Sequence, residues 1–356
     1  MSRRERQRRR RRNKGGPARP VFLALGVITT LAALGVLAAV GWVVSVATSG
    51  PSIDSLKPQD QGAASVVYAA DGQKLGSITT DILRTPVTGS QIPQVVRDAT
   101  VAIEDRRFFQ HKGVDFEGVV RAAVKNLSSH KTVQGGSTIT MQLIRNLYIS
   151  KERTYQRKIR EAKLAEELEN EHPGVQGKGW ILDKYLNTVP YGTLGGQTAV
   201  GVQAASRAYF GKPVQKLRLS QAALLAGLPQ APTTYSPVRA PEKAEARRNE
   251  VLAKMAELGM ISQATALKTM KKGLGLHVSR YFTSRRESFF FDFVKDELIK
   301  EMGAKTVRQG GLRVDTTIDL KKQQAAREAI SGRLAGIGPS SAGPRPCAAR
   351  SSAPSP

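Results

Sequence analysis

The chain has 356 residues, 40 % of them hydrophobic, which is enough to bury the core of an enzyme-sized domain. Its formal net charge of +26 predicts an anionic partner, and nucleic acid, acidic lipid or a phosphorylated substrate would each meet that demand. The single cysteine, Cys347, excludes an internal disulfide framework and a cysteine-rich metal site, and four histidines without HExxH spacing point away from zinc.

Residues 1–20 form an Arg-rich head in which Arg3, Arg4, Arg6, Arg8 to Arg12, Lys14 and Arg19 face one acid, Glu5. Residues 21–47 carry no charge. As a helix that run is about 40 Å long and crosses a hydrocarbon core of ~30 Å with some tilt. The apolar region of a cleaved signal peptide is shorter, about 7–15 residues, so the run reads as an uncleaved transmembrane helix. By the positive-inside rule the head is a cytoplasmic tail and everything after Ser49 is exported. The expected location is the plasma membrane, crossed once, and an exported domain has no nucleic acid to meet.

Residues 48–79 read as a polar stalk followed by a short β hairpin, with Asp71-Gly72 as a type I′ turn between Val66-Val67-Tyr68 and Leu75. From Pro93 the pattern is helical, with candidates at 93–104, 115–127, 137–149, 155–170, 179–187, 199–208, 220–227 and 241–258. A mainly α domain is expected over 80–275, with strands only at its margins. Residues 276–333 change character: an aromatic helical run through Phe289, Phe290, Phe291 and Phe293, then a strand near Val314 entering a helix at Leu320. Residues 334–356 are rich in Gly, Pro, Ser, Ala and Arg, a composition that cannot pack a core, and read as a disordered tail or an altered reading frame.

Five blocks carry the chemistry. Glu104-Asp105 closes an apolar helix, a place where one carboxylate can be partly desolvated as a base while the next makes structural bonds; pairing with Arg106, Arg107 and Arg121 is the plainer alternative. Gly135-Gly136 precedes Ser137, a natural N-cap, and on the helix that follows Thr138, Gln142 and Arg145 share one polar face. Arg157 and Lys158 lie four and three residues before Glu161 and can grip it, either as a pyrophosphate-binding trio or as a solvated charged face. The block from Lys178 to Gly192 contains Asn187, and Arg247-Arg248 begins the fifth; both read as structural on their own.

In order, spacing and wording these blocks resemble the peptidoglycan glycosyltransferase family, the transglycosylase domain of class A penicillin-binding proteins. Its signatures read roughly EDxxFxxHxGxDxxGxxRA, GGSTITQQ, RKxxExxxAxxLE, KxxILexYLN and RRxxVL, matched here by Glu104 to Ala122, Gly135 to Asn146, Arg157 to Glu169, Lys178 to Gly192 and Arg247 to Leu252. The resemblance implies a lysozyme-like α fold behind one N-terminal transmembrane helix. It also implies polymerisation of lipid II into glycan strands, with inversion at the donor sugar and release of undecaprenyl pyrophosphate. Matched by position, Glu104 is the general base, Asp105 its support and Glu161 the second essential glutamate. Ser137, Thr138, Gln142, Arg145, Arg157, Lys158 and Asn187 are implied to bind substrate.

A divalent cation such as Mg2+ is the only cofactor the resemblance implies, with no organic cofactor. The implied partners are lipid II, the lipid-linked strand, the bacterial plasma membrane and proteins of the cell-wall synthesis machinery. Two positions depart from the family: Met141 where Gln is usual, expected to pack, and Arg145 where Lys is usual, which keeps the charge. Residues 171–177 read as an inserted surface loop. Phe116, Val119, Val120, Val124 and Leu127 form a stripe able to dip into lipid or to pack inward. Residues after 276 resemble only the linker to a transpeptidase, and the lone SxxK at Ser128 to Lys131 is accidental, so no transpeptidase activity is expected. Two rivals remain: a non-catalytic truncated fragment of a bifunctional protein, and a lysozyme-like hydrolase using the same carboxylates.

Overall fold

The computed structural model describes residues 18–56, 64–78, 82–121, 136–148, 154–279 and 285–335. The chain divides into two compact units, residues 1–61 with 81–279, and residues 62–80 with 280–356.

The first unit begins with α1 (Ala18–Thr48), an uncharged helix from Pro20 onward that is about 46 Å long at 1.5 Å per residue. It is long and apolar enough to cross a membrane, and Phe22, Leu31 and Leu37 are among its exposed apolar side chains. Among its described side chains, those of the last turns pack on protein, where Val46 is buried and the helix meets the α4 segment Tyr155–Glu171. The expected polar stalk starts differently: Ile53 is buried in the main core and its N–H donates to Glu167 Oε2 at 3.1 Å. The rest of that stretch, residues 57–63, lies outside the described residues.

The core of the first unit is mainly α. Helix α2 (Gln94–Glu104) is followed by a helical run at 116–121, α3 (Ile139–Leu147), α4, α5 (Gly174–Thr188), α6 (Val202–Phe210), α7 (Leu219–Gly227), α8 (Pro241–Glu257) and α9 (Gln263–Met270). Two packed groups build it. Helix α3 buries Ile139, Leu143 and Ile144 against α4 and α5, at the spacing that puts them on one helical face. Helices α2, α7 and α8 meet through Ala99, Ala102, Ala223 and Ala226, small residues that let the helix backbones approach, closed by Val251, Leu252 and Met255.

Three features differ from the sequence reading. The expected loop at 171–177 is largely helix: Pro173 caps α5 and Gly174, at φ +73°, opens it. A small sheet stands inside the helical region, with β4 (Pro190–Leu194) and β5 (Gln197–Val200) antiparallel and β3 (Ile82–Arg84) parallel to β5. Helix α9 was not anticipated. Of the 115–127 helix, residues 116–121 are observed, and Val124, Leu127 and the Ser128 to Lys131 motif lie outside the described residues.

The second unit is built on β1 (Ser65–Tyr68), β2 (Lys74–Ile78) and β6 (Arg313–Asp315), in the order β2-β1-β6 with β1 and β6 parallel. The β1–β2 loop is not type I′, which needs two residues at positive φ. Among its loop residues only Gly72 is there, at +77°, and Ala69 N–H donates across to Gln73 O, leaving a three-residue loop. Helices α10 (Ser288–Met302), α11 (Ala304–Gln309) and α12 (Leu320–Ala335) complete the unit, with Phe291 buried against Val67 and Leu75.

Candidate active site

The end of α2 and the start of α3 are joined by one carboxylate. The chain leaves α2 at Asp105, whose φ of −158° turns it out of the helix. Buried Asp105 then accepts from the Ile139 N–H at 3.1 Å and lies 3.0 Å from His111 Nε2. Ile139 is the first residue of α3, so Asp105 supplies an acceptor and a negative charge where a helix has unpaired N–H groups and a positive dipole end. The N-cap of α3 is Thr138, not Ser137 as expected. Its Oγ1 accepts from Met141 N–H at 3.1 Å and donates to Gly113 O at 2.6 Å. Gly113 sits at φ +78°, and a Cβ there would fall 2.6 Å from Glu166 N, so only glycine allows this approach.

With the two helices locked, Glu104 at the end of α2 faces Gln142 one turn into α3. Gln142 Nε2 donates to Glu104 Oε2 at 2.8 Å, and Gln142 Oε1 accepts from buried Tyr185 Oη at 3.3 Å, which fixes the amide orientation. The other oxygen, Oε1, is buried without a hydrogen-bond partner. Burial pushes the Glu104 carboxyl up from its ordinary value. The Gln142 hydrogen bond, Arg247 and Arg145 oppose that shift, and Asp105 adds to it. The Tyr185 hydroxyl is pushed well up by burial and by Glu104, so it remains a donor.

Glu104 opens on a cleft of ≈ 340 Å³ lined also by Ser137, Thr138, Gln142 and Arg145. Next to it, Lys158 Nζ on α4 donates to Ser137 Oγ at 2.5 Å and to Glu161 Oε2 at 3.1 Å. Glu161 is fully buried and does not line the cleft. Its second oxygen is 3.3 Å from Arg157 Nε, close in charge but without hydrogen-bond alignment. Burial lowers the pKa of Lys158, opposed by Glu161 and reinforced by the neighbouring Arg145 and Arg157.

Asn187 stands elsewhere. Its Oδ1 accepts from Val87 N–H at 2.9 Å, and its Nδ2 donates to Val87 O at 3.0 Å and Asp183 O at 2.9 Å. Every polar atom of the side chain is spent on backbone, and the residue is not among those lining the cleft. Its place is that of a strut under the segment leading into α2, apart from the cleft where substrate binding was expected of it.

Arg247, read from sequence as structural, lines the cleft. Its Nε donates to Gly227 O at 3.2 Å, its Nη1 pairs with Glu250 at 2.7 Å, and a Cβ on Gly227 would come within 2.8 Å of its Cγ. Neighbouring Arg248 is fully buried and donates to Met270 O at 2.9 Å and Lys272 O at 2.5 Å, tying down the end of α9. An adjacent pair on a helix points about 100° apart, which splits one arginine to the cleft and one to the core. Met141 packs in the core, as expected.

The sequence model of the family described as Transglycosylase matches residues 71–256. The chain belongs to the transglycosylase family of class A penicillin-binding proteins. It is 40 % identical over 271 residues to penicillin-binding protein 1A of Aquifex aeolicus, covering 76 % of this chain and 36 % of that one. With penicillin-binding protein 1F of Bacillus subtilis the identity is 35 % over 274 residues, 75 % of this chain and 37 % of the relative. With penicillin-binding protein 1A of Escherichia coli it is 37 % over 284 residues, 80 % and 32 %. The chain thus spans about a third of the length of these relatives. The crystal structure of penicillin-binding protein 1A from Haemophilus influenzae aligns with a TM-score of 0.42 and 24 % identity, covering 77 % of this chain and 29 % of that one. The transglycosylase match contains the whole Glu104 cleft together with Lys158, Glu161 and Arg247.

Proposed function

We propose that this transglycosylase polymerises lipid II into glycan strands, with Glu104 as general base. The observation that carries the reading is Glu104 itself: a carboxylate whose pKa is raised, with one oxygen held by Gln142 and one unpartnered, on a cleft with Arg145 and Arg247 beside it. In the reaction, Glu104 takes the proton from the 4-hydroxyl of the acceptor sugar as that oxygen bonds the donor anomeric carbon. The bond from that carbon to the pyrophosphate oxygen breaks, and undecaprenyl pyrophosphate leaves with the electron pair. Attack opposite the leaving group inverts the carbon.

Negative charge grows on the pyrophosphate as the bond breaks, and fixed cations stabilise that state more than the ground state. Arg145 and Lys158, with the Ser137 hydroxyl between cleft and α4, are placed for this role. The lowered pKa of Lys158, caused by burial first and by Arg145 and Arg157 after it, fits this role: an anion arriving beside the ammonium offsets both. Glu161 and Arg157 are then positioning residues that hold Lys158 from a buried carboxylate.

A divalent cation does not fit at Glu161, because that buried carboxylate already faces two cations. Among the described residues no group of three His, Cys, Asp or Glu side chains could hold a metal. The chain's own cations carry the leaving-group charge in this proposal.

The transmembrane reading of α1, with the Arg-rich head cytoplasmic and the catalytic unit outside, brings the cleft to the lipid-linked substrate. Exposed Phe116, Val119 and Val120 flank the cleft-lining Gly118 and Arg121, an apolar lip suited to the bilayer surface. Partners in the cell-wall synthesis machinery belong to the same proposal. The hydrolase reading is disfavoured by Arg145 and Lys158, since neutral glycan has no pyrophosphate to hold.

Labelled lipid II incubated with the full chain in detergent, followed by gel, tests the proposal. Glycan strands are expected, with no cleavage of lipid-free glycan. Cleavage without polymer would move the assignment to a hydrolase, and neither product from a folded, monodisperse sample would support the non-catalytic fragment.

A further inference from the structure

A second cavity, of ≈ 170 Å³, lies where α1 ends, lined by Gly50, Pro51, Leu56, Tyr148, Arg160, Lys163 and Leu164. Ser49 N–H still bonds Ser45 O at 3.0 Å, so helix geometry persists to the cavity's edge, and the chain turns there to bury Ile53. On the facing helix α4, Arg160, Lys163 and Glu167 follow at i, i+3 and i+7, one stripe pointing at the end of α1.

The charges of this stripe do not balance. Glu167 is shared between Lys163, 3.2 Å from its Oε1, and the Ile53 N–H on its Oε2. Lys163 Nζ also reaches Gly50 O at 3.4 Å, a cation serving a helix C-terminus as expected. Arg160 is exposed and has no acidic partner among the described residues. Its stem lies against Gly50, with Cγ 3.5 Å from the position of a Cβ there, and the Tyr148 hydroxyl likewise has no hydrogen-bond partner among the described residues. Leu56, Leu164 and Pro51 give the cavity an apolar wall beside these polar groups.

We propose that this cavity binds a phosphodiester anion, namely the headgroup phosphate of an anionic phospholipid in the outer leaflet next to α1. The proposal rests on α1 being the membrane anchor. The end of such a helix sits at headgroup depth, where a guanidinium with no acidic partner among the described residues, a hydroxyl and a short apolar wall meet a phosphate and the glycerol that follows it. Arg160 provides a planar fork of donors suited to two phosphate oxygens. The site is distinct from the Glu104 cleft, with which it shares no lining residue.

The test uses the full chain in neutral detergent, titrated with dihexanoyl phosphatidylglycerol, dihexanoyl phosphatidylcholine or inorganic phosphate and followed by calorimetry. Saturable binding of the phosphatidylglycerol alone is expected, weakened about fivefold in Arg160→Ala and largely restored in Arg160→Lys. Arg160 is exposed and outside the cleft, so lipid II turnover in detergent serves as the folding control and is expected to be unchanged. Equal binding of inorganic phosphate would overturn the lipid as the source of the anion. Binding that is absent, or indifferent to Arg160→Ala, would overturn the site. Extraction of the protein from vesicles by alkaline carbonate would instead refute the anchor reading of α1, whatever the short-chain lipid does.

Discussion

Two carboxylates of the first unit, the half-buried Glu104 and the buried Glu169, are treated by the fold in opposite ways. Glu169 is surrounded: Lys178 Nζ lies 2.7 Å from one oxygen, and Thr140 Oγ1 donates to the other at 2.5 Å. Lys178 in turn lies 4.4 Å from the Phe108 ring centroid. Glu104 keeps one oxygen unpaired on an open cleft and is pushed toward its protonated form. The first arrangement fixes α3, α4 and α5 together, and the second leaves a carboxylate with a raised pKa for the proposed proton transfer. What separates the two is how completely each carboxylate is satisfied: both oxygens of Glu169 are held, and Glu104 Oε1 has no hydrogen-bond partner.

The largest expected effect is on Glu104. Glu104→Gln keeps the shape and a hydrogen-bond partner for Gln142 and removes the base, so lipid II turnover should fall roughly 10³-fold. Glu169→Gln should leave the chemistry intact. Its counterpart, Lys178→Met, strands a buried carboxylate and should cost about 3–5 kcal/mol in unfolding free energy while substrate affinity of the folded fraction holds. An activity loss in Lys178→Met without a loss of stability would blur the distinction between the two sites.

Arg145→Ala should weaken binding of a lipid-pyrophosphate substrate or a phosphoglycolipid inhibitor roughly tenfold, by removing a charge-assisted contact. Unchanged affinity would take Arg145 out of the site. Asn187→Ala should lower stability by about 1–3 kcal/mol, because the Val87 N–H and C=O lose their partners, with KM unmoved. A rise in KM at constant stability would return Asn187 to the substrate.

The pH dependence separates the carboxylates further. A raised Glu104 pKa places the acid limb of kcat/KM above the ordinary glutamate value, with rate lost as pH falls through it. The lowered Lys158 pKa brings the alkaline limb below the ordinary lysine value. The stability sign is opposite to that of a salt-bridged acid. With its folded pKa raised, Glu104 costs the folded state stability as pH rises from the ordinary glutamate value through the raised one, so Glu104→Gln should melt higher than wild type at neutral pH. That gain should vanish below about pH 4.5, where both states are protonated.

Much of the cleft could be read from local spacing. Thr138, Gln142 and Arg145 share a face because the helix repeats every 3.6 residues, and Glu104 stands where an apolar helix stops. The features that could not be read depend on partners far along the chain. Asn187 looks available until its amide is seen paired with Val87, and β3 finds β5 more than a hundred residues away. Arg247 and Arg248 differ only in rotation about α8, which the Arg-Arg motif does not reveal. Ser137 and Thr138 are equally good caps by chemistry. The backbone path from Gly113 decides for Thr138, and Ser137 is left for Lys158.

The proposed role of Glu104 as proton acceptor is decided by lipid II consumption in wild type and Glu104→Gln at matched substrate occupancy. The Gln variant is expected to bind lipid II and form no strand. Wild-type turnover by that variant would contradict it.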